Sequence, residues 1–385
     1  MKPAARCFWF VLAFTGAQVA ARGQPLELPK PRYTSIAPGL DYAHLRETNQ
    51  PWSIHIARLD RRQKNLVITT SLARNQIQGL ASLSHQMTAF PAARGQPLAA
   101  VNGDYFLIQP GPYQGDPQGF QILDGELVSA PIDKSFWVDA RGGLHIAAVD
   151  SRFELTWPAG GRTQFYLNET PRAHRATLFT PAFGKSTAAT NAAELILEKS
   201  GDGPWLPLRV EENYQARVKE IRADGNSTIP ADAMVLSLTG DLKTNLAAIH
   251  PADRLQFTTA TPLHLTNVVT AIGGGPILVL DGKEQAWPAR KGLSDYLLPR
   301  HPRTALGFNR RYFFLVEVDG RQKELSVGLS FVELAALMKQ LGCTDALNLD
   351  GGGSATFWLN GKVMNSPSDK HERSIANAVV IVRKP

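Results

Sequence analysis

Short runs in which apolar and polar residues alternate, or in which β-branched residues follow one another, recur along most of the chain. Residues 52–59 alternate in this way, and residues 66–70 form a β-branched run. A period of two places successive side chains on opposite faces of a strand, so 52–59 predicts a strand that is buried on one face only. Residues 98–101, 346–350 and 356–359 predict further strands.

Turn and capping residues predict one hairpin and two helices. Asp124-Gly125, within residues 120–128, is a residue pair typical of a two-residue hairpin turn. Ser330 and Glu333 have the spacing of a capping box, and they open a helix that should end near Gly342. Residues 82–90 favour a short helix.

Strands therefore outnumber helices, and hairpin connections outnumber βαβ crossovers. This balance predicts an α+β fold with a large mixed or mainly antiparallel sheet and few flanking helices. The prolines in residues 23–40 favour an irregular lead-in over 22–50, and 51–385 is expected to form one domain.

Residues 1–21 have the composition of a secretory signal peptide. Positive charges at Lys2 and Arg6 precede a short apolar stretch that ends near Phe14, and small residues surround Ala21. The stretch is shorter than the roughly 20 residues that span a bilayer. We expect cleavage near Ala21 and a soluble exported protein, either periplasmic or secreted.

The composition is that of a globular protein with excess positive charge. Hydrophobic residues make up 43% of the 385 residues, and the net charge is +7. This excess favours anionic partners such as phosphorylated glycans or anionic lipid surfaces. Nucleic acid is not expected, because no Lys/Arg run or RNA-type aromatic motif occurs. Without Cys7, Cys343 is a lone cysteine, expected to be buried.

The segment 348–354, Asn-Leu-Asp-Gly-Gly-Gly-Ser, carries the most specific chemical signal. It places the Asp350 carboxylate at the end of a strand, before three glycines whose N–H groups can form a nest for a phosphate or sugar oxygen. A glycine-rich turn, capped by Asp350 through an Asx bond, is the structural alternative.

Two further motifs add candidates. A second glycine cluster, residues 273–275, is compatible with a ligand loop or with a bulged strand. Arg303 opens an apolar strand, where its guanidinium can bind phosphate with two hydrogen bonds, and His301 is a candidate acid or base. Arg175 and Arg373 also precede apolar runs, but the sequence does not decide whether these arginines converge.

No zinc signature occurs, because paired Cys or HExxH spacings are missing. A calcium ion held by Asp350 and loop carbonyls is an open possibility, and no other cofactor is expected.

Segments 102–106, 273–276, 303–307, 348–354 and 373–378 stand in an order that resembles the phosphodiester glycosidase domain family. The resemblance covers about residues 99–382. Within the family, the chain resembles the bacterial exported members. The resemblance implies an α+β fold and hydrolysis of a glycosyl phosphodiester, such as an N-acetylglucosaminyl one. One departure is Asp104, which stands where many members have Gly.

The chemistry of such a reaction suggests roles for single residues. Asp350 is expected to act as nucleophile or base, His301 as proton donor, Arg303 and Arg373 as phosphate ligands, and the glycine N–H groups as oxyanion donors. The residues predicted to bind substrate are Asn102, Asp104, Arg175, Gly274, Arg303, Thr304, Gly351, Gly352, Gly353, Ser354 and Arg373. A non-catalytic envelope glycan-binding or assembly protein, and a phosphodiesterase that cleaves P–O, remain alternatives.

Overall fold

The computed structural model describes residues 28–48, 50–286 and 298–385. The predicted signal peptide, residues 1–21, lies outside these ranges. None of the helices within them is both long and apolar enough to cross a membrane.

Strands dominate the described chain. The first nine are β1 (Thr34–Ala37), β2 (Leu40–Glu47), β3 (Trp52–Asp60), β4 (Leu66–Leu72), β5 (Gln96–Asn102), β6 (Gln121–Leu123), β7 (Glu126–Ser129), β8 (Lys134–Asp139) and β9 (Leu144–Ala148). The next seven are β10 (Arg152–Thr156), β11 (Arg162–Leu167), β12 (Ala176–Phe179), β13 (Ala193–Lys199), β14 (Asn213–Arg222), β15 (Met234–Leu238) and β16 (Arg254–Ala260). The last nine are β17 (Val268–Gly273), β18 (Ile277–Leu280), β19 (Lys283–Glu284), β20 (Arg303–Phe308), β21 (Tyr312–Val318), β22 (Asp345–Asn348), β23 (Phe357–Leu359), β24 (Lys362–Val363) and β25 (Asn377–Arg383).

These strands form three open sheets and one closed barrel. The eight-stranded sheet has the order β1-β2-β3-β21-β20-β22-β18-β19, and two five-stranded sheets have the orders β24-β23-β5-β25-β4 and β7-β6-β17-β8-β9. Strands β10 to β16 close into the barrel, in which β11 and β12 pair in parallel while the other neighbours are antiparallel. The predicted α+β class with mainly antiparallel sheet is confirmed.

Two α-helices accompany the sheets in the described ranges, α1 (Leu83–Thr88) and α2 (Phe331–Gln340). The capping box is present as predicted: the backbone N–H of Glu333 donates to the Ser330 hydroxyl, and the Glu333 carboxylate accepts from the backbone N–H of Ser330. Ser82 caps α1 in the same way, by accepting from His85. Each such cap contributes about 1 kcal/mol to stability.

Apolar side chains fill the space between the layers. One cluster lies between the eight-stranded sheet and the sheet that contains β5, and includes Leu306, Leu347 and Phe357. Another cluster packs α2 against the opposite face of the eight-stranded sheet. The barrel encloses its own core, in which Phe165 and Phe257 meet edge to face with ring centroids 5.6 Å apart. Burying one such ring stabilises the fold by about 1.5–3 kcal/mol.

Two features differ from the expectation. Strands β1 and β2 lie within the predicted lead-in 22–50, and β2 pairs along its full length with β3. The second half of that segment is therefore part of the eight-stranded sheet, because its alternating residues pack although prolines precede them. The barrel was not foreseen either, since its closure depends on pairings between strands distant in sequence.

Candidate active site

Asp350 lies where two sheets meet. It follows β22 of the eight-stranded sheet, and its backbone N–H donates to the carbonyl oxygen of Gly103, just after β5, at 2.9 Å. The side chain of Asn102, the last residue of β5, donates from Nδ2 to the carbonyl oxygen of Asp350 at 2.7 Å. Both bonds cross between sheets, so they hold the backbone of residues 350–354, called the Asp350 loop below, at this junction.

The pKa of the Asp350 carboxyl lies above its ordinary value, because burial outweighs the groups that lower it. Burial raises its pKa, while the Ser354 hydroxyl, the Gly351 N–H and the Arg373 charge oppose that shift. The Gly351 N–H donates to Oδ1 at 2.8 Å. Each of these three groups favours the ionised form, so the carboxylate retains partners despite its burial. A carboxylate of this kind suits a nucleophile or a general base.

A second carboxyl group, that of Asp104, lies close to the first. Its Oδ1 accepts from the backbone N–H of Tyr105 at 2.8 Å, and its own N–H donates to Oδ1 of Asn377 at 2.9 Å. Burial raises the pKa of Asp104 to about 7, and the nearby charge of Asp350 raises it as well, against the lowering effect of backbone N–H groups. Two neighbouring carboxyl groups rarely ionise together, so Asp104 is largely neutral below pH about 7, beside the carboxyl of Asp350.

Glycines enclose the Asp104 carboxyl. A Cβ on Gly273 would lie 2.3 Å from Oδ2, and a Cβ on Gly119 would lie 2.6 Å from the same atom. Oδ2 is buried and has no hydrogen bond of ordinary geometry among the described residues. The glycine cluster 273–275 therefore lies at the site, and it approaches the strand of Asp350 as well, because a Cβ on Gly274 would lie 2.5 Å from the carbonyl oxygen of Asn348.

Two guanidinium groups lie against consecutive glycines of the Asp350 loop. A Cβ on Gly353 would lie 2.0 Å from Nη2 of Arg373, and one on Gly352 would lie 2.9 Å from Nη2 of Arg321. Arg373 is 32% exposed and donates to the Asp369 carboxylate from Nη2 at 2.7 Å and from Nε at 3.0 Å. The Asp350 loop thus brings two cations next to a carboxylate.

The expected oxyanion donors of the loop are mostly used within the protein. The N–H of Gly351 donates to Asp350, and the N–H of Gly352 donates to the carbonyl oxygen of Pro302 at 2.9 Å. The prediction that these two N–H groups bind substrate oxygens is therefore not met. The small size of the glycines serves instead to admit the side chains of Arg321 and Arg373.

A methyl group at Gly353 should disturb the site without unfolding the chain. Gly353→Ala would push the flexible end of Arg373 away from the loop, so we expect kcat/KM to fall by about tenfold, since small displacements at a reacting centre are costly. Gly203→Ala is the matched control, because a Cβ there meets nothing within 4 Å. Steady-state kinetics and melting curves check this, and equal activity of the two variants would contradict it.

Asn102 and Thr304 are positioning residues. Both side chains are completely buried, and the Thr304 hydroxyl donates to Oδ1 of Asn102 at 2.6 Å. The backbone N–H of Thr356 donates to the same oxygen at 3.1 Å. Their predicted role in substrate binding is therefore corrected: they orient the carbonyl oxygen of Asp350. Ser354, equally buried, faces the Asp350 carboxyl.

Arg303 does not join the Asp350 loop. Its guanidinium is stacked 3.7 Å from the ring centroid of Phe331 in α2, and it donates from Nε to the carbonyl oxygen of Leu329 at 2.9 Å. Because side chains alternate along β20, Arg303 lies on the face opposite to Thr304. The prediction of a phosphate ligand here is replaced by a structural role at the start of α2.

Arg175 lies in the barrel. It is exposed, its guanidinium stands 5.4 Å from the ring centroid of Tyr166, and its backbone N–H donates to the Thr239 hydroxyl. These contacts place it with β12 and not with the Asp350 loop. Of the three arginines predicted at strand starts, Arg373 is the one that lies beside Asp350.

His301 lies near the Asp350 loop, but it is a poor proton donor. Partial burial lowers the pKa of its imidazole, and the charges of Arg303 and Arg321 lower it further. Nε of Arg321 donates to its Nδ1 at 3.4 Å. At neutral pH the ring is neutral, which argues against the acid role predicted for it.

The structure adds three residues that the motifs did not identify as site residues: Gly119, Arg321 and Asn377. Asn377 was part of a quoted motif, and its alternation within β25 signals a buried polar side chain. Gly119 and Arg321 lie in loops without a sequence pattern, so only the fold brings them to the site.

The pair of carboxyl groups predicts a pH effect on stability. An Asp has a pKa of about 3.9 when unfolded, whereas that of Asp104 is about 7 in the fold. The folded state binds more protons between these values, so stability falls as pH rises from about 4 to about 7, by roughly 2–4 kcal/mol from this group. Asp104→Asn should flatten the slope in denaturant titrations at several pH values, and an unchanged slope would refute it.

Comparisons with known proteins match part of the chain to one family. Residues 209–382 match the model of the family described as NAGPA, phosphodiester glycosidase. The mouse N-acetylglucosamine-1-phosphodiester alpha-N-acetylglucosaminidase is 38% identical over 90 residues, which are 22% of this chain and 17% of the mouse protein. The human protein of the same name is 36% identical over the same shares. The matches thus span less than a fifth of these relatives.

A solved structure from Synechocystis, of a hypothetical protein, shares the fold. It superposes with a TM-score of 0.74 at 19% identity, and the match covers 92% of this chain and 64% of that chain. Asp350, Gly353 and Arg373 fall within the family match, whereas Asn102 and Asp104 precede it. Residues 209–382 of this chain are therefore similar to the phosphodiester glycosidase family.

Proposed function

We propose that this protein hydrolyses the glycosidic C–O bond of a glycosyl phosphodiester. The observation that carries the proposal is the position of the Asp350 carboxylate on a loop that also seats Arg321 and Arg373. Such a reaction develops positive charge on the anomeric carbon and negative charge on the departing phosphate. A carboxylate and two cations on one loop match both charges.

Asp350 acts on the anomeric carbon. Its carboxylate either attacks that carbon directly, to form a glycosyl ester that water then hydrolyses, or takes a proton from the water that attacks the carbon. The electron pair of the breaking C–O bond passes to the phosphate oxygen. The hydrogen bond from Gly351 and the charge of Arg373 keep Asp350 ionised for this step.

The departing phosphate monoester needs little proton donation. It is a far weaker base than a sugar alkoxide, so cations that bind its oxygens replace a strong general acid. Arg373 is the main candidate, because its charge reaches Asp350 and its side chain is partly exposed. Arg321, exposed beside Gly352, is the second.

Asp104 acts as a positioning residue. Its Oδ2 is enclosed by Gly119 and Gly273 and is out of reach of a substrate in this conformation. As a neutral group it fills the space below the two glycine loops without opposing the charge of Asp350. When it ionises above pH about 7, repulsion between the carboxylates should reduce turnover, and Asp104→Asn should move that alkaline decline upward.

Hydrolysis in ¹⁸O-labelled water tests the proposal. The substrate panel should begin with an N-acetylglucosaminyl phosphodiester, the group in the names of the mouse and human relatives. Label in the released sugar supports C–O cleavage. Label in the phosphate would identify a P–O phosphodiesterase, and binding without turnover across the panel would identify a glycan-binding protein.

We also propose that the protein is exported, to the periplasm or the medium. The support is the charge and apolar pattern of residues 1–21. N-terminal sequencing of the protein from its native host should find a chain that begins near residue 22, and an intact Met1 terminus would contradict export by this signal.

A further inference from the structure

A row of polar side chains crosses the eight-stranded sheet from the active site. Thr304 in β20 pairs with Glu317 in β21, Glu317 pairs with His55 in β3, and His55 pairs with His44 in β2. Directly paired residues project from the same face of a sheet. The row therefore begins at the residue that orients Asn102 and ends at the exposed His44.

Three members of this region form a compact group, called the His55 cluster: His55, Glu317 and Asp319. One ligand atom from each lies within 4.8 Å of those of the other two. The side chains are 2%, 0% and 1% exposed, respectively. An imidazole and two carboxylates thus share one buried space.

Among the described residues, no Lys or Arg side chain forms an ion pair with the carboxyl groups of the cluster. The ion pair recorded for the cluster in the described ranges is internal, between Nε2 of His55 and Oδ2 of Asp319 at 3.5 Å. Oε2 of Glu317 is buried and has no hydrogen-bond partner among the described residues. Buried carboxylates are normally paired or bound to a metal ion, because an isolated buried charge is strongly unfavourable.

The neighbours of the cluster orient its donor atoms. The Tyr42 hydroxyl is 2.8 Å from Nδ1 of His55, which leaves Nε2 directed at the carboxylates. Nδ2 of Asn365 donates to Oε1 of Glu317 at 3.0 Å, and the Ser53 hydroxyl donates to Oδ2 of Asp319 at 2.7 Å. A partner on the second ring nitrogen and hydrogen bonds to each carboxylate are typical of residues that surround metal ligands.

We propose that the His55 cluster binds one divalent metal ion, of the Zn²⁺ or Mn²⁺ class. Imidazole suits transition metals better than Ca²⁺, and carboxylates are common ligands of both Zn²⁺ and Mn²⁺. The ion would neutralise Glu317 and Asp319. This site is distinct from the calcium site predicted at Asp350. The calcium site stays a prediction.

The ion would stabilise the active site through the segment that follows the Asp350 loop. Asn365, which donates to Glu317, also donates to the carbonyl oxygen of Ala355 at 3.1 Å and accepts from the N–H of Phe357 at 2.9 Å. These bonds hold the segment that directly follows the Asp350 loop. The metal is therefore a structural element that fixes this segment to the sheet, and it takes no part in the chemical step.

Metal analysis of the purified full chain tests the inference. We expect about one equivalent of Zn²⁺ or Mn²⁺ after dialysis against metal-free buffer, and at least about tenfold weaker binding in Glu317→Gln. Asp241→Asn is the control, since Asp241 forms an exposed ion pair with His174 at 2.8 Å. It should bind metal like the wild type.

If Glu317→Gln does not fold, metal binding to the wild-type protein still tests the proposal. Co²⁺ added to chelator-treated protein should give visible absorption bands typical of an ion with a low coordination number. The added metal should also raise the melting temperature of the protein. No bound metal, with no effect of Zn²⁺, Mn²⁺ or Co²⁺ on melting, would overturn the proposal. Equal binding by the wild type and a folded Glu317→Gln would overturn it too, because the ion would then lie elsewhere.

Discussion

Asp350→Asn is expected to lower kcat for a glycosyl phosphodiester by about 10³-fold or more, the upper range for loss of a catalytic proton-transfer group. The amide can neither attack the anomeric carbon nor accept a proton from water. The fold should persist, because the backbone bonds of residue 350 to Gly103 and Asn102 do not involve the carboxylate. Steady-state kinetics with the substrate identified in the panel measures the effect.

Asp345→Asn is the matched control for that variant. Asp345 opens the same strand, β22, but lies at its other end, where it accepts from the Thr344 hydroxyl. Its loss should leave turnover nearly unchanged. If Asp350→Asn is folded and turns over like the wild type, Asp350 is not a catalytic residue and the mechanism fails.

Removal of Arg373 should give the second-largest loss. Arg373→Ala deletes the cation beside Gly353 and leaves Asp369 unpaired, so transition-state charge on the phosphate is less well stabilised. We expect kcat/KM to fall by about 10²-fold, as for the loss of one electrostatic donor in other enzymes. Arg373→Lys should recover part of the activity, since lysine keeps the charge but not the two-pronged geometry.

Two further arginine variants complete this test. Arg321→Ala should lower kcat/KM less, because Arg321 is exposed, and the double variant should show whether both cations act on the same phosphate. Arg217→Ala is the control, since Arg217 pairs with Glu198 in the barrel, at 2.7 Å. Equal effects of Arg373→Ala and Arg217→Ala would remove the anion site from the proposal.

Local patterns were sufficient for most individual elements. The hairpin at Asp124-Gly125 is present as β6 and β7, with φ of 51° and 84° at the two turn residues, as a type I′ turn requires. Such signals depend on neighbouring residues alone. The barrel depends on pairings such as β10 with β16, about a hundred residues apart, which no local pattern specifies.

The site residues also fall into two groups: those that a local motif identifies and those that only the tertiary structure brings to the site. Motifs identify Asp350, the two glycine clusters and Arg373. Positions at which the backbone is approached closely require glycine, so they are visible in the sequence. The prediction that Arg303 and Thr304 both bind substrate overlooked the alternation along β20. This alternation directs the two side chains to opposite faces of the sheet. The neutral state of Asp104 depends on burial by Gly119 and Gly273, which is a property of the tertiary structure only.

Strand β3 shows how a correct pattern can mislead. Residues 52–59 alternate as predicted, but Ser53 and His55 are buried, at 1% and 2% exposure. The same face carries Ala57 and Leu59 and packs against the sheet that contains β5, where the ring of Phe357 lies 5.8 Å from that of His55. Polar residues at alternate positions therefore indicated a buried hydrogen-bond network here, where solvent was expected.

The place of β25 has a consequence for the order of events during synthesis. This strand lies between β4 and β5, and pairs Ile381 with Ile68 on one side and with Ala99 on the other. Until residues 377–383 leave the ribosome, β4 and β5 have no common neighbour, and each presents unpaired backbone to other nascent chains. Completion of the layer that carries Asn102 must therefore wait until residues 377–383 are available, so the site forms only after this strand has been made.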